Sequence, residues 1–542
     1  MMIVPATARH HALCDTGSRR GIVLFVVMVL VAMVAFAGFG FVSMMSTEYQ
    51  STRRHGDDLQ AAQAIASAES LVLNFVQWSE TQRAQSGGHS HNPGMFRGIP
   101  LQPDQRSTLR QDSQPDTTST GWHVSVIAPP AASDTGERLR FGLQNESARL
   151  HLATLLAWDR LSPGSGRRAL RQLPQMTDVL ADSILDWIDA DDQPREFGAE
   201  SDAYLANDRG YLPRQALPES LDELLLVEGV TRALLWGRDR NRNFEIDAAE
   251  ASHGDTVGHP RSSTRTADPT PGGWSDYLTL HSSEWNHDPL GNPRVNLNQD
   301  DLQRLAASLS DRLPDDLTRF IVAWRQHGPL GTSGSTVQPS SRRSEPIPEI
   351  DPARPARYRL ASLCDLIDAR VRLEPPTDDQ ASPRLLISPL SSSSAVRGQL
   401  LEALLTHTTL SNQTVTTGRI NINEAPAAVL NCVPGLSQDA VQQIVMRRQR
   451  DGVNMPRTTA WVWLEGIVDL SEYRRIQPWI TCGGDAFRGQ LAVFQAGFGP
   501  IHRSQIIVGP LRDGVRRLHW SSLRSRGSGF SAQQLLQPEF MD

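Results

Sequence analysis

The chain has 542 residues, which is long enough for three or more compact units. Its residues are 39% hydrophobic and 21% charged, a composition typical of a water-soluble body with one apolar segment. The formal net charge of −7 excludes a broadly basic surface of the kind that binds nucleic acids without sequence preference.

The first predicted element is an apolar helix. Residues 22–47 contain no charged side chain, and Arg19, Arg20 and Gly21 stand directly before them. A helix of this length measures about 39 Å, enough to cross the ~30 Å hydrocarbon layer of a membrane with a tilt. The basic residues before the run predict that the N-terminus stays in the cytoplasm.

Three interpretations of this run remain open: a cleaved secretory signal, a plain anchor and the start of a pilin stem. A secretory signal has a shorter apolar core and a small-x-small cleavage site. After Thr47 the sequence continues with apolar residues spaced by three and four, which predicts an amphipathic continuation to about residue 80. One helix over 22–80, apolar first and amphipathic later, resembles a pilin stem. Residues 1–21 then resemble a prepilin leader, cut by prepilin peptidase between Gly21 and Ile22.

Composition divides the rest of the chain into ordered segments and linkers. Residues 81–120 are rich in Gln, Ser, Gly and Pro and predict an irregular linker, with further linkers at 251–275, 329–350 and 376–394. The predicted ordered segments are 121–250, 276–328, 351–485 and 486–542. Alternation predicts strands at 121–129 and 137–143 and three strands in the last segment, and periodicity predicts helices at 149–160, 178–190 and 219–228.

Acidic residues concentrate around the end of the predicted helix 178–190. One interpretation is a solvated helix end. The other is a cation site, because carboxylate oxygens are the ligands that calcium prefers. The candidate ligands, which lie near Asp186, are Asp189, Asp191, Asp192, Glu200 and Asp202.

A second acidic segment, residues 239–250, has the spacing of an EF-hand calcium loop. Phe244 stands at the sixth position, where such loops have a glycine that permits positive φ. The alternative is a solvated acidic turn. The candidate ligands are Asp239, Asn241, Asn243, the Glu245 carbonyl, Asp247 and Glu250.

An internal repeat begins at Arg294 (RVNLNQDDLQRLAASL) and again at Arg419 (RININEAPAAVLNCVPGL), with a degraded copy from Ala148. Asn298 and Asn423 are the predicted helix N-caps. The second copy continues through Pro434-Gly435-Leu436 into another predicted helix and resembles a helix-hairpin-helix.

Such hairpins often bind DNA phosphates, and the cluster Arg447, Arg448 and Arg450 could contribute. Ser437 replaces the usual second glycine of the motif. The alternative function is that of a membrane-anchored DNA-binding or DNA-uptake protein that uses the helix-hairpin-helix-like motif at 424–450. We favour a structural packing module, and a nucleic-acid partner is not expected.

Cysteine usage and catalytic motifs add two expectations. Cys14 would leave with the leader, and Cys432 with Cys482 is the predicted disulfide, the alternative being buried thiols. The sequence contains no His/Cys metal cluster, no G-x-S-x-G motif and no phosphate-binding loop. We therefore expect no enzymatic activity.

The segment LADSILDWIDADDQPREFGAESDAYL from Leu180, the segment from Arg419 to Arg448 and the leader together resemble the type II secretion system minor pseudopilin K family. The resemblance implies an α+β fold: a long pilin-like helix with a small β-sheet, interrupted by a large helical insertion with helix-hairpin-helix-like modules. It also implies calcium sites and a single-pass inner-membrane protein with a periplasmic body. The implied partners are the major pseudopilin and other minor pseudopilins.

The resemblance also implies a place at the pseudopilus tip. Most pilins have glutamate at the fifth mature position, where this chain has Val26, and the K-type pseudopilins lack this glutamate too. In the family picture the glutamate pairs with the N-terminal amine of the subunit ahead. A leading subunit has no subunit ahead, and an unpaired carboxylate in lipid is costly.

Overall fold

The computed structural model describes residues 19–101, 121–129, 139–207, 209–252, 272–330, 350–373, 384–452, 455–495 and 500–536. The chain forms two units, Met1–Gln63 and Ala64–Asp542. Cys14 and most of the predicted leader lie outside the described residues, as do most of the predicted linkers. The fold is α+β, with one long helix, one principal sheet and many short helices.

The α-helices of the described residues have the following bounds: α1 Arg19–Gln77, α2 Glu80–Gln85, α3 Pro93–Phe96, α4 Leu152–Leu161, α5 Ser165–Leu170, α6 Asp178–Ile188, α7 Ser201–Ala206, α8 Arg232–Trp236, α9 Ala248–Ser252, α10 Leu302–Ser310, α11 Asp315–His327, α12 Arg397–His407, α13 Ala427–Asn431, α14 Gln438–Asp451, α15 Trp461–Leu464, α16 Leu470–Ile476 and α17 Ala532–Leu535.

The strands are β1 Ile99–Pro100, β2 Trp122–Ala128, β3 Arg140–Phe141, β4 Gln144–Asn145, β5 Leu150–His151, β6 Leu278–Thr279, β7 Ser283–Trp285, β8 Val295–Asn296, β9 Arg370–Leu373, β10 Arg384–Ile387, β11 Thr408–Thr409, β12 Val415–Thr417, β13 Ile420–Asn421, β14 Ile480–Thr481, β15 Phe487–Gln495, β16 His502–Leu511 and β17 Gly514–Ser522.

Helix α1 confirms the predicted long N-terminal helix, although it ends at Gln77 instead of residue 80. It contains a span that is long and apolar enough to cross a membrane, with a mean hydropathy of 3.0 over its most apolar window. The large apolar side chains from Ile22 to Met45 are at least 42% exposed within the protein. Apolar area gains about 25 cal/mol per Å² when it leaves water, so this face requires lipid or partner helices.

The principal sheet lies in the second unit and follows the order β1-β2-β15-β16-β17, with β3 paired to β2 and β4 to β15. All of its pairs are antiparallel, and Val126 lies opposite Leu491 in the centre. The three terminal strands confirm the predicted terminal meander. The sheet packs on the end of α1, where Ala68, Val72 and Phe75 are fully buried in a shared apolar cluster.

The helical insertion between β4 and β15 is built from the three sequence repeats. Each repeat begins with a two-residue strand that forms a parallel pair with a distant strand: β5 with β6, β8 with β11 and β13 with β14. Helices follow each strand and share one apolar cluster that runs through the insertion. The degraded copy from Ala148 therefore has the same local architecture as the other two.

The predicted N-caps Asn298 and Asn423 are wrong. The last residue of the short strand accepts the local backbone N–H instead: Asn421 Oδ1 accepts from Asn423 N at 2.9 Å, and His151 Nδ1 accepts from Ala153 N at 3.1 Å. Asn298 exchanges two 2.9 Å hydrogen bonds with the backbone of Leu360. The reason is that in the second and third repeats a turn separates the strand from the next helix, so the second asparagine is free to hold a neighbouring segment.

Several other expectations differ from the structure. Residues 81–101, expected to be irregular, contain nearly all of α2 together with α3 and β1, and part of the predicted linker 376–394 forms strand β10. The predicted strand 137–143 is reduced to β3. The expected helix at 219–228 is a short 3₁₀-helix, Leu221–Leu226, which ends before Gly229 at a φ of +79°.

The predicted Cys432–Cys482 disulfide is also wrong. The three cysteines of the described chain, Cys364, Cys432 and Cys482, are free thiols. Cys432 Sγ donates to Ala428 O at 3.2 Å. Burial raises the pKa of Cys364 to about 11 and that of Cys482 to about 12, so these thiols are unreactive at neutral pH.

Candidate metal sites

Three carboxylates meet where α6 ends. Asp186 lies in the last turn of α6, Asp189 is its C-cap residue, and Glu200 is the N-cap residue of α7. One oxygen from each lies within 4.8 Å of the others. Asp186 is fully buried and Glu200 is 3% exposed. The loop 190–199 therefore brings Glu200 back onto the helix end and closes an acidic cluster.

The cluster contains one internal counter-charge. The Arg195 guanidinium donates to Asp186 Oδ1 at 2.7 Å, to Asp189 Oδ2, and to Asp159 Oδ2 at 3.2 Å. Glu200 is different, because neither of its carboxylate oxygens has a hydrogen-bond partner among the described residues. Asp189 Oδ1 is also without one. A buried carboxylate without a partner is costly, so these oxygens suit a bound cation.

The electrostatics of the cluster agree with this geometry. Burial, reinforced by Asp186 and Asp189, raises the pKa of Glu200 to about 8. Burial also raises the pKa values of Asp186 and Asp189, against the opposing effect of Arg195. A divalent cation would favour the ionised form of all three groups. The ligands are hard oxygens, which suit calcium or magnesium.

The other acidic residues of the segment lie at the rim. Asp191 Oδ1 accepts from Gln193 N at 3.1 Å, and Asp192 Oδ1 accepts from Ser201 N at 3.2 Å. Asp202 is an exposed residue in the first turn of α7. Of the five candidate ligands, the structure therefore brings Asp189 and Glu200 together and adds Asp186. The spacing of Asp186 and Asp189, three residues on one helix, is the sequence signal for that pair.

Hydrogen bonds from its own polar side chains hold the loop 239–250 in its conformation. Asp239 Oδ2 accepts from Phe244 N at 2.7 Å and Asp239 Oδ1 from Asn243 N at 3.1 Å. Glu250 Oε1 accepts from Arg240 N at 2.7 Å, and so returns to the start of the loop. Asp247 Oδ2 accepts from the side chain of Asn241 at 2.6 Å. Direct hydrogen bonds thus join five of the six candidate ligands: Asp239, Asn241, Asn243, Asp247 and Glu250. The sixth, Glu245, contributes only its N–H, which donates to Asn243 Oδ1.

Phe244 adopts the backbone conformation that its position requires, with a φ of +70°. A left-handed conformation costs a non-glycine residue about 1–2 kcal/mol. The ring packs near Phe530, with centroids 6.5 Å apart, and this apolar contact offsets the strain. Burial raises the pKa of Asp239 to about 6. The loop therefore keeps the turn of a calcium loop without its glycine.

The loop is attached to the principal sheet through its backbone. Arg503 of β16 donates to Asn241 O at 2.5 Å and to Arg242 O at 3.1 Å. Gln490 of β15 donates to Arg242 O at 2.9 Å. The sheet thereby fixes the backbone of the loop from outside.

The helical hairpin gives little support to DNA binding. Gly435 has a φ of +92° in the turn between α13 and α14, and Ser437 caps α14 through Ala440 N at 3.2 Å. Arg447 forms an ion pair with Glu465 at 2.8 Å, and the half-buried Arg448 donates to Ala425 O at 2.8 Å. Two of the three arginines are therefore engaged in internal contacts.

Comparison with known proteins identifies relatives of the segment that holds the acidic cluster. Residues 148–236 match the family model for "Type II secretion system (T2SS), protein K". A type II secretion system protein K from Klebsiella pneumoniae is 26% identical over 216 residues, which cover 40% of this chain and 60% of the relative. The match thus spans less than two thirds of that relative.

A solved structure is also similar: the GspK-GspI-GspJ complex of the enterotoxigenic Escherichia coli type 2 secretion system. It matches with 10% identity and a TM-score of 0.36 over 87% of this chain and 98% of that chain. The two sequence matches therefore show that part of this chain, including residues 148–236, is similar to type II secretion system protein K.

Proposed function

We propose that this chain is a minor pseudopilin of a type II secretion system and caps the tip of the periplasmic pseudopilus. Helix α1 carries the proposal, because one continuous helix supplies both an exposed apolar run and the surface on which the principal sheet packs. A helix of this kind can leave the membrane and pack against identical helices without refolding. The role is structural rather than catalytic.

Val26 supports a place at the tip. It is an uncharged residue in the apolar run and is 54% exposed within the protein. A subunit inside a filament can neutralise a charge at this position with the subunit ahead of it, whereas a leading subunit cannot. The absence of a carboxylate removes the cost of burying one without a partner.

The proposal includes a location and partners. The chain is a single-pass inner-membrane protein with a cytoplasmic N-terminus, processed by prepilin peptidase between Gly21 and Ile22. Its body of mixed helices and strands is too large to repeat along a thin filament without clashes. It therefore binds other minor pseudopilins and the major pseudopilin at one end of the filament.

The proposal also includes calcium at two sites. The first is formed by Asp186, Asp189 and Glu200, and the two unpartnered oxygens of Glu200 are its main support. The second is the loop 239–250. Calcium would hold the 190–199 loop and the 239–250 loop in place, and the protein would lose the repulsion among its buried carboxylates.

The position in the filament can be tested by labelling. Full-length protein with an epitope after Gly121 is produced with the other pseudopilins of its system, and sheared pseudopili are labelled with gold particles. A tip subunit gives label at one end only. Label along the length would contradict the tip role, and no label on any filament would contradict the pseudopilin role.

Val26→Glu tests the argument on charge, with Val26→Leu as the matched apolar control. We expect Val26→Glu to reduce secretion and recovery of the complex with the smaller minor pseudopilins, because its carboxylate has no amine ahead of it. Val26→Leu should behave as wild type. Equal secretion by both variants would show that a charge at residue 26 does not affect the role of the subunit.

A further inference from the structure

A cavity of about 140 Å³ lies between the 239–250 loop, the segment 272–276 and the principal sheet. Three arginines line it: Arg149, Arg242 and Arg488. Part of the remaining wall is apolar and includes Trp236 and Phe244. The cavity is separate from the acidic cluster and has no place in the proposed secretion role.

The guanidinium groups outnumber the carboxylates that contact them. Glu146 is fully buried and accepts from Arg488 at 2.6 Å and from Arg149 at 3.4 Å. Arg242 has no ion pair with a carboxylate of the described chain. It donates to Gln505 Oε1 at 3.3 Å and lies 3.9 Å from the ring centroid of Trp236. Burial and neighbouring arginines lower the pKa values of Arg149 and Arg242 to about 10.

Two carboxylates on the wall are already occupied by backbone donors. Both oxygens of Asp239 accept N–H groups of the 239–250 loop, and Asp276 Oδ2 accepts from Gly272 N at 3.1 Å. They leave Arg242 without an anionic partner, and they disfavour a multiply charged ligand by repulsion.

Two residues that line the cavity each have a buried polar atom without a hydrogen-bond partner among the described residues, and both atoms are donors. Arg149 is 2% exposed, and its Nε has no acceptor among the described residues. The indole Nε1 of Trp236 is likewise buried without one. Neither group can accept a hydrogen bond, so only a ligand with acceptor atoms satisfies them. A carboxylate offers two such atoms with a geometry that matches a guanidinium.

We propose that this cavity binds a small monocarboxylate, with its carboxylate on Arg149, Arg242 and the Trp236 N–H and its short apolar tail against the aromatic wall. The volume of about 140 Å³ suits a ligand with a short tail of a few carbons. The bound anion connects the loop residue Arg242 with Arg149, beside the principal sheet, and so stabilises the attachment of the loop.

The test uses the purified full-length protein in detergent, with sodium propionate as the probe. Sodium chloride and sodium phosphate at equal ionic strength are the comparison anions, and each is measured with and without calcium. We expect propionate to raise the melting temperature and to bind saturably by calorimetry, and the other two anions to have smaller effects. An equal effect of chloride or a stronger effect of phosphate would overturn the proposal.

Two variants examine the contacts. Trp236→Phe keeps the ring and removes the N–H, and Arg242→Gln removes the unpaired charge. Each should weaken propionate binding about tenfold or more. Arg516→Gln is the matched control, because Arg516 is an exposed arginine paired with Asp513 at 2.8 Å, and it should bind as wild type. Unchanged affinity in Trp236→Phe and Arg242→Gln would overturn the site even if propionate binds elsewhere.

Discussion

Gly198 lies directly against Asp186: a Cβ added at residue 198 would stand 1.8 Å from Asp186 Oδ2. Asp186 cannot easily move away, because it is fully buried and accepts from both the backbone and the side chain of Arg195. The loop that brings Glu200 to the cluster therefore requires glycine at residue 198.

Gly198→Ala should displace this loop and lower the stability of the protein. Overpacking of a closed site costs about 1–3 kcal/mol, and the affinity for calcium should fall as well because Glu200 moves with the loop. Denaturant titrations with and without calcium measure both effects. Gly121→Ala is the control, because nothing lies within 4 Å of its added Cβ. Similar losses in the two variants would show that the contact with Asp186 is unimportant.

Glu200→Gln should abolish most of the stabilisation that calcium gives. The metal-free variant should nevertheless be more stable than metal-free wild type, because a neutral amide replaces a carboxyl that is costly to ionise there. Asp202→Asn is the matched control, since Asp202 lies nearby but outside the cluster. Melting curves of the three proteins with calcium and with a chelator provide the measurement. A calcium response that is lost in Asp202→Asn and kept in Glu200→Gln would refute the assignment.

The metal-free protein should become less stable as pH rises from about 5 to 8. The pKa of Glu200 is raised to about 8, above its usual value of 4.5, so the folded state retains a proton that the unfolded state releases. Stability then falls by up to about 1.4 kcal/mol per pH unit in this window. Calcium should reduce this slope, because the metal-bound carboxyl is ionised in the folded state. The same slope in metal-free Glu200→Gln would assign the effect to another group.

Processing should remove residues 1–21. In cells with prepilin peptidase, the intact mass should correspond to a chain that begins at Ile22, and Gly21→Val should keep the leader. Gly38→Val, a substitution farther along the same helix with nothing within 4 Å of its Cβ, should be processed normally. Mature wild-type protein that begins at Met1 would refute the pilin-type leader.

Reducing agents should leave the melting temperature unchanged, because Cys364, Cys432 and Cys482 are free thiols. Thiol labelling followed by mass spectrometry should show little reaction in the folded protein and reaction of all three after denaturation without reductant. Two cysteines that stay unreactive until reduction would reveal a disulfide.

The elements that the sequence predicts well are those set by local periodicity. The apolar run and its amphipathic continuation predict α1, and the alternation near the end predicts β15, β16 and β17. These patterns repeat over many residues, so a single exceptional residue has little effect on the prediction.

The parts that the sequence predicts poorly depend on contacts between distant segments. Asn298 is a plausible cap by position, but its role is set by Leu360, which the sequence does not place beside it. The ligand set of the acidic cluster depends on the path of the 190–199 loop, which Arg195 and Gly198 determine. Asp191 and Asp192 have the right chemistry for a ligand, but each accepts a backbone N–H instead, from Gln193 and Ser201 respectively.

The helical insertion separates the central strands of the principal sheet along the chain, and this separation affects the rate of folding. Strand β2 pairs with β15, so the two central strands of the sheet come from opposite ends of the body. Pairing of distant segments is slow, because the entropy of closing the loop is lost before the contacts form. The C-terminal end of α1, which packs on this sheet, is therefore covered only after the last strands have paired. The helical insertion, whose contacts are more local, can become compact first and shorten the distance that the last strands must search.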